Sequence, residues 1–452
     1  MNEYLQRTID NVREKYSHQP EFVQTVEEVL GSLEPVIDQH PEYEKVDLLG
    51  RMVEPDRSVS FRVVWQDDEG NHHTNTGYRV QFNGAIGPYK GGIRFNPTVT
   101  ESVIKFLGFE QTFKNGLTGL PMGGGKGGSD FDPRGKSDDE IMRFCQSFIT
   151  ALFDHLGPDV DVPAGDMGVA GREIGFMFGQ YRRIKKNFEN GTFTGKDLSY
   201  GGSILRPEAT GFGAVYYLNN ILKHEGLDMK DQRVAVSGFG NVSWGICKKI
   251  AELGGKAVTI AGPDGFVYDP DGIITEEKIE YLRVMRASGR DRVQDYSDKF
   301  PSAKFFAKEK PWNSKEVDFT IAMPAAYQNE ITMTEAKSMV EKGVQYYIEV
   351  ANMPTTNDAL NYLIENCKVV APSKAVNAGG VACSGLEMSQ NSQRLAWTAE
   401  EVDKNLHAIM DKIYNNCVEA AEEYGLGYNL VAGANIAGFK RVSEAMMAQG
   451  VI

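Results

Sequence analysis

The sequence contains few cysteines, no long apolar run and no surplus of positive charge. Its five cysteines lie far apart, without a C-x-x-C pair or the histidine spacing of a zinc site, so we interpret them as reduced core thiols and expect no metal centre. No apolar run is long enough to span a bilayer and the N-terminus lacks a signal-peptide core, so we expect no membrane association and a cytoplasmic location. A formal net charge of -14 argues against binding to nucleic acid or anionic membranes.

Length and composition predict a globular protein with more than one domain. The 452 residues exceed what a single hydrophobic core usually supports. A hydrophobic fraction of 41% and a charged fraction of 24% are ordinary for folded proteins. No low-complexity tract or short repeat interrupts the chain.

The first 200 residues show a mixture of helical and strand periodicities. Apolar residues at helical spacing occupy 21–40, and alternation over 59–65 and 78–82 predicts antiparallel strands joined by a turn. Another helix is expected near 100–115, and a capping box of Ser137 and Glu140 predicts the start of the next. This part of the chain predicts a mixed α/β domain.

From Arg233 the pattern changes to strands that alternate with helices. A buried strand runs into a glycine turn, a helix to about Leu253, and a second strand from Lys256 to Ala261. Further apolar runs, at 317–323, 345–350 and 368–371, predict additional strands separated by helices. We therefore predict an α/β protein of two domains, a mixed α/β domain over 1–200 and a Rossmann-like dinucleotide-binding domain over 201–424. Helices at about 425–452 are expected to pack back on the first domain.

The glycine turn has the context of a dinucleotide-binding motif. Gly238 and Gly240 follow a predicted strand and open a predicted helix, where backbone N–H groups can approach a pyrophosphate. Ser243 occupies the third position, where Gly or Ala is usual. An acidic residue after the second strand would bond the ribose of NAD, and Asp264 is either that residue or the Asp of a Pro-Asp-Gly turn.

Three lysines in glycine-rich or amide-rich settings predict a site for a small dianion. Lys90 lies in Gly-Pro-Tyr-Lys-Gly-Gly, Lys114 follows Gln111 by one helical turn, and Lys126 lies in Gly-Gly-Gly-Lys-Gly-Gly. We expect the glycines to let the backbone approach a ligand. The last motif is not a phosphate-binding P-loop, because Leu120 replaces its first glycine and Gly127 replaces its Ser or Thr.

A lone carboxylate, Asp166 in Pro-Ala-Gly-Asp-Met-Gly, completes the candidate groups. By itself it is equally consistent with a turn-stabilising residue and with an acid or base.

Together these motifs resemble the small hexameric glutamate dehydrogenases of the Glu/Leu/Phe/Val dehydrogenase family. The resemblance also rests on Phe-Leu-Gly-Phe-Glu-Gln-Thr-Phe-Lys, Arg-Pro-Glu-Ala-Thr-Gly and Asn-Ala-Gly-Gly-Val-Ala-Cys-Ser-Gly-Leu-Glu-Met, and it extends over essentially the whole chain. It implies two domains separated by a cleft that closes on the ligands, assembly as a homohexamer, and conversion of glutamate to 2-oxoglutarate and ammonia.

The same resemblance assigns a role to individual residues. Lys126 and Asp166 correspond to the catalytic lysine and aspartate of the family. The expected substrate-binding residues are Lys90 and Ser384 for the side-chain carboxylate, Lys114 and Gln111 for the α-carboxylate, and Gly165 through its backbone. The expected cofactor-binding residues are Gly238, Gly240, Asn241, Thr210 and Asp264.

The coenzyme is less well defined than the reaction. The segments around Gly240 and Asp264 resemble the NAD-specific clostridial branch, so NAD is favoured and NADP remains possible. Ala325 and Tyr327 stand where the family leads us to expect Cys and Thr. Two alternatives are a dehydrogenase for another amino acid, which Lys90 and Ser384 disfavour, and a non-catalytic nucleotide sensor, which Lys126 and Asp166 disfavour.

Overall fold

The computed structural model describes residues 2–230 and 232–450. The chain forms two compact units. Unit 1 contains Met1–Ile204, Ser384–Val402 and Asn435–Ile452, and unit 2 contains Leu205–Cys383 and Asp403–Ala434. The segment Ser384–Val402 belongs to unit 1, whereas the sequence predicted that it lies in the dinucleotide-binding domain. The expected domain functions stay predictions.

The elements up to residue 204 alternate short N-terminal helices with a mixed sheet. They are α1 (Glu3–Lys15), α2 (Pro20–Gly31), α3 (Glu34–Gln39), α4 (Glu42–Lys45), α5 (Leu48–Met52), β1 (Arg57–Gln66), β2 (His72–Asn83), β3 (Tyr89–Phe95), α6 (Glu101–Leu117), β4 (Gly123–Ser129), α7 (Asp138–Leu152), β5 (Asp161–Gly165) and α8 (Gly171–Lys185). The predicted capping box is confirmed: Ser137 Oγ accepts from Glu140 N, and the Glu140 carboxylate accepts from Ser137 N. The predicted hairpin is confirmed as well, since β1 and β2 pair in antiparallel fashion.

The sheet of unit 1 has the strand order β1-β2-β4-β3-β5, with helices on both faces. Side chains alternate between the faces along each strand. On one face Ile93 and Phe95 pack in a core with α7 and α8. On the other face Gly108 of α6 lies against Val80 and Phe82 of β2. This close approach fixes α6 directly over the central strands.

The remaining elements follow the predicted alternation of strands and helices. They are α9 (Ala209–His224), β6 (Arg233–Val236), α10 (Asn241–Glu252), β7 (Lys256–Ala257), β8 (Thr259–Gly262), β9 (Gly265–Tyr268), α11 (Glu276–Ala287), α12 (Gln294–Lys299), β10 (Lys304–Ala307), β11 (Ile321–Met323), α13 (Met333–Glu341), β12 (Tyr346–Ile348), α14 (Asn357–Asn366), β13 (Val369–Ala371), α15 (Ser373–Val376), α16 (Gly379–Gln393), α17 (Ala399–Glu423) and α18 (Leu430–Gln449).

Unit 2 contains the expected parallel sheet, in the order β13-β12-β11-β6-β7. All four strand pairs are parallel. The predicted strand from Lys256 to Ala261 is wrong in detail, because it divides into β7 and β8. The β8 strand joins β9 and β10 in a small antiparallel sheet. The sequence did not predict this sheet, because each of its strands is too short to show a clear alternation of polar and apolar residues.

Helix α18 packs against α6 through two glycines of unit 1. A Cβ on Gly116 would lie 3.0 Å from the carbonyl oxygen of Gly438, and a Cβ on Gly438 would lie 2.8 Å from that of Phe113. Neither position has room for a side chain, so the two helix backbones are in direct contact. Within the described ranges, no helix combines the length and apolar character needed to cross a membrane.

Candidate active site

A lysine and an aspartate that are 40 positions apart in sequence meet on the α6 face of the unit 1 sheet. Lys126 is in β4, and its Nζ lies 3.3 Å from Oδ1 of Asp166, the residue after β5. The other carboxylate oxygen, Oδ2, accepts from Arg94 Nε at 2.7 Å. Asp166 also begins a turn that Val169 closes by donating its N–H to the Asp166 carbonyl. The turn is therefore confirmed, and its carboxylate lies between two cations.

The surroundings shift the pKa of both members of this pair. Burial lowers the pKa of Lys126 below its ordinary value, and the nearby charge of Arg94 lowers it further against the opposing effect of Asp166. Burial alone would raise the pKa of Asp166, but Lys126 and Arg94 together bring it below its ordinary value. Lys126 therefore loses its proton at a lower pH than an exposed lysine would, while Asp166 stays ionised.

Among the cations near Lys126, Arg94 lowers the pKa of this lysine most. Arg94 was not among the candidates from the sequence. The available signal was the period of two in β3, which places Lys90, Gly92 and Arg94 on one face.

The glycines around Lys126 form a strand whose missing side chains make room for other parts of the protein. A Cβ on Gly124 would lie 1.9 Å from Thr112 Oγ1 of α6, and a Cβ on Gly128 would lie 2.9 Å from Ile104. On the opposite face, a Cβ on Gly127 would lie 3.1 Å from Arg79 Cδ. At these positions the glycines accommodate a helix and a buried arginine, and their expected approach to a ligand stays a prediction.

That arginine forms an ion pair beneath the site. Arg79 of β2 reaches Asp161 of β5, with Nε donating to Oδ2 at 2.9 Å and both side chains fully buried. Its Nη1 also donates to the carbonyl of Gly91 at 3.1 Å. The pair ties together the strands on either side of β4 and β3, so it supports the backbone that carries Lys90 and Lys126.

The three expected carboxylate-binding residues of the first half of the chain lie on β3 and α6. Lys90 is 1% exposed and pairs in register with Gly124 of β4, two residues before Lys126, so both lysines point to the α6 face. Gln111 and Lys114 are half-buried on α6. The Gln111 amide is held by donating to Asn115 Oδ1 at 2.7 Å.

The two remaining expected substrate contacts are also in unit 1. Gly165 ends β5 next to Asp166, and a Cβ there would lie 2.6 Å from the carbonyl oxygen of Val169. Ser384 lies in α16 and is 2% exposed.

A buried ion pair holds the part of α16 that follows Ser384. Lys196 Nζ lies 2.7 Å from the Glu387 carboxylate, with both side chains fully buried, and it donates to Asn391 Oδ1 at 2.8 Å. The same carboxylate accepts from the backbone N–H of Gly195 at 2.9 Å. Burial lowers the pKa of Lys196, against the effect of Glu387. This network fixes the helix position one turn beyond Ser384.

The expected dinucleotide motif of unit 2 has the local geometry that such a cofactor requires. Gly238 has φ +77°, a conformation that favours glycine. A Cβ on Gly240 would meet open space, and α10 begins there at Asn241 without a side-chain cap, so its first N–H groups can donate hydrogen bonds to an anion. Ser243 fits the third position because its buried Oγ donates to the carbonyl of Ser237 at 2.8 Å. The residues present therefore fit a dinucleotide.

The other expected cofactor residues differ in how they are used. Thr210 is in the first turn of α9, close to Gly380, where a Cβ would lie 2.6 Å from Thr210 Oγ1. The Asp264 carboxylate accepts from the backbone N–H of Val293 at 2.9 Å and of Gln294 at 3.1 Å, next to the start of α12. Asp264 thus stabilises the start of α12, in addition to any contact with a cofactor.

The loop that departs from the family pattern lies beside the glycine turn. Ala325 donates its N–H to Ser237 Oγ at 2.9 Å, and its carbonyl oxygen lies 3.2 Å from the position of a Cβ on Gly238. Tyr327 is exposed. The two residues that differ from the family pattern, Ala325 and Tyr327, therefore belong to the loop beside the glycine turn of unit 2.

A parallel α/β unit with a glycine turn, together with a lysine and aspartate site on a second α/β unit, is typical of dinucleotide-dependent dehydrogenases. Residues 201–450 match the family model described as glutamate, leucine, phenylalanine and valine dehydrogenase, and residues 55–183 match the dimerisation domain of the same enzymes. The chain belongs to the Glu/Leu/Phe/Val dehydrogenase family.

Individual relatives resemble the chain over its whole length. It is 64% identical to the NAD-specific glutamate dehydrogenase of Clostridium symbiosum, with 100% of both chains covered. It is 56% identical to the NAD-specific glutamate dehydrogenase of Bacteroides fragilis over 99% of this chain and 100% of the relative. A solved structure described as glutamate dehydrogenase has a TM-score of 0.97 at 63% identity, with 100% of both chains covered.

Proposed function

We propose that this chain catalyses the reversible oxidative deamination of L-glutamate to 2-oxoglutarate and ammonia, with NAD as the hydride acceptor. The observation that carries the proposal is the contact between Lys126 and Asp166, a buried base and a carboxylate in one site. The full-length similarity to enzymes named as NAD-specific glutamate dehydrogenases supports the same reaction.

Glutamate would bind through its two carboxylates. Lys90 and Ser384 are proposed to hold the side-chain carboxylate, and Lys114 and Gln111 the α-carboxylate, with the Gly165 backbone beside the substrate. The nearly complete burial of Lys90 supports this assignment, because a desolvated ammonium group interacts more strongly with a carboxylate than an exposed one does. An amino acid with an aliphatic side chain offers Lys90 no such partner.

The chemistry would divide proton transfer between the two catalytic residues. Gly238, Gly240 and the N-terminus of α10 would hold NAD, which when bound would supply the acceptor for the hydride from Cα of glutamate. The resulting 2-iminoglutarate would be attacked at its imine carbon by a water molecule that loses a proton to neutral Lys126. Asp166 would shuttle protons to and from the nitrogen: it would take the proton that the α-ammonium group loses before hydride transfer, and would return a proton to the nitrogen so that ammonia leaves as the carbonyl of 2-oxoglutarate forms.

NAD is the proposed coenzyme, with NADP as the alternative. The carboxylate of Asp264, in the turn between β8 and β9, is fixed by two backbone N–H groups, and a fixed negative charge there would repel a 2′-phosphate. Thr210 and Asn241 are proposed to contact the cofactor from the N-terminal turns of α9 and α10.

Self-association is a further part of the proposal. The segment that matches a dimerisation domain covers residues 55–183, and the resemblance of the motifs implies a homohexamer. Six copies of the 50.0 kDa chain give an assembly of about 300 kDa. Sedimentation or light scattering would check this mass, and a monomer under assay conditions would contradict it.

The test follows formation of reduced nicotinamide by its absorbance, with NAD and NADP compared at the same concentrations. We expect glutamate to be oxidised with a higher kcat/KM for NAD than for NADP. In the Lys90→Leu variant, kcat/KM should fall far more for glutamate than for norvaline, because norvaline has no side-chain carboxylate. No turnover of glutamate with either coenzyme would refute the function, and dinucleotide binding without turnover would instead indicate a nucleotide sensor.

A further inference from the structure

Asn115 lies in the last turn of α6 and has no role in the proposed chemistry. It is fully buried, between the helix that carries Gln111 and Lys114 and the strands that carry Lys90 and Lys126. A buried asparagine requires partners for its two N–H groups and its oxygen. Its hydrogen-bond partners therefore show which segments the side chain connects.

Each of those contacts goes to a segment that carries a proposed site residue. Asn115 Nδ2 donates to the carbonyl of Lys90 at 3.0 Å and to the carbonyl of Gly123, at the start of β4, at 2.6 Å. Its Oδ1 accepts from Gln111 Nε2 at 2.7 Å. One side chain thus joins β3, β4 and α6 at the point where they approach the substrate site.

The contact with Lys90 is made to the backbone of that residue itself. A lysine side chain is long and flexible, so the place its ammonium group occupies depends on where its backbone is held. Gln111 is constrained at its amide, and its hydrogen bond to Asn115 determines which way the amide faces. Because both amide hydrogens and the oxygen of Asn115 have partners in the protein, it acts on the substrate through these neighbours.

We propose that Asn115 is a positioning residue that sets the preference for a dicarboxylic amino acid, by fixing Lys90 and Gln111 relative to one another. The inference rests on the proposed function, in which Lys90 holds the side-chain carboxylate of glutamate. Loss of the Asn115 amide frees the Lys90 and Gly123 carbonyls and lets β3 move relative to α6.

The experiment compares Asn115→Ala with the parent on two substrates, glutamate and norvaline. A displacement of about 1 Å lowers the efficiency of a well-oriented site by roughly 100-fold, so we expect kcat/KM for glutamate to fall by about 10- to 100-fold. The fall in kcat/KM for norvaline should be smaller, because norvaline has no side-chain carboxylate for Lys90 to bind. The KM for NAD should be unchanged. The ratio of the two kcat/KM values is therefore the informative quantity.

Asn75→Ala is the matched control. Asn75 is a half-buried asparagine of β2 in the same unit that also bridges two partners, accepting from Trp65 and donating to Asp130. Asn75→Ala should lower the stability of the protein without changing the ratio of kcat/KM for glutamate to kcat/KM for norvaline. An equal loss for both substrates in folded Asn115→Ala would overturn the proposal, because a merely structural asparagine predicts that result.

A second variant keeps the test decisive if Asn115→Ala does not fold. Asn115→Asp preserves size, but its carboxyl group would face the carbonyl oxygens of Lys90 and Gly123 and be stable there only when protonated. We expect a reversible loss of glutamate kcat/KM as pH rises, which the parent lacks, and an unchanged circular dichroism spectrum. A pH profile equal to that of the parent would overturn the proposal. Absence of glutamate turnover in the parent would instead refute the proposed function, so the two failures are distinguishable.

Discussion

A single methyl group placed on the strand of Lys126 should displace α6 and disable the site. In Gly124→Ala the new Cβ would lie 1.9 Å from Thr112 Oγ1 and 2.6 Å from Thr112 Cα. Rotation of the threonine side chain relieves the first contact only. The second involves the helix backbone, so α6 and β4 have to separate.

The size of that separation follows from the distances. Carbon atoms are in favourable contact at about 3.5–4.0 Å, so the helix has to move by about 1 Å from the 2.6 Å position. Overpacking of this kind costs about 1–3 kcal/mol of stability. Since α6 carries Gln111 and Lys114, a shift of about 1 Å should also lower kcat/KM for glutamate by roughly 100-fold.

Gly125→Ala on the same strand is the matched comparison. Its Cβ would lie 3.2 Å from Tyr89 Cβ, 3.3 Å from Val80 O and 3.4 Å from Arg79 Nη2, distances that small shifts accommodate. Replacing glycine where the backbone permits it stabilises by about 0.4–1 kcal/mol, so the net change should be close to zero. Urea unfolding and the glutamate assay measure both effects. Parental behaviour of Gly124→Ala, or equal damage in the two variants, would refute the reasoning.

Four further predictions follow from the same contacts. Lys126→Ala should lower kcat for glutamate by about 10²–10⁴-fold in the nicotinamide absorbance assay while leaving the Kd for NAD unchanged, and normal turnover would exclude it as the base. Lys196→Met should leave the buried Glu387 carboxylate without its positively charged partner and lower the stability to urea by about 3–5 kcal/mol. A smaller loss of stability than in Lys304→Met, at an exposed pair, would contradict this. Arg94→Gln removes a positive charge that lowers the pKa of Lys126, so the rise of kcat/KM with pH caused by loss of the lysine proton should move to higher pH, and a shift to lower pH would be inconsistent. Asp264→Asn should raise the ratio of NADP to NAD kcat/KM by removing a fixed negative charge, and an unchanged ratio would show that the residue serves only the start of α12.

Local sequence patterns predicted the elements whose signals lie within a few residues. The capping box of Ser137 and Glu140 started a helix where expected, and the strand, glycine turn and helix from Arg233 formed the parallel unit with a positive φ at Gly238. The run around Lys126 was harder, because glycine is depleted in strands and its sequence shows no alternation of polar and apolar residues. Its pairing with β2 and β3 supplies the strand geometry that local preference does not.

By itself, the sequence determined the α/β class, the dinucleotide turn and the set of lysines and the aspartate from which a site can be built, because turns, caps and periodicities depend on neighbouring residues. Only the tertiary structure decided which of those groups meet. The contacts of Asp166 with Lys126 and Arg94, the Arg79 pair beneath them and the Asn115 bridge all join residues on different strands and helices. Strand order and helix packing bring these residues together, and chain position does not reveal either one.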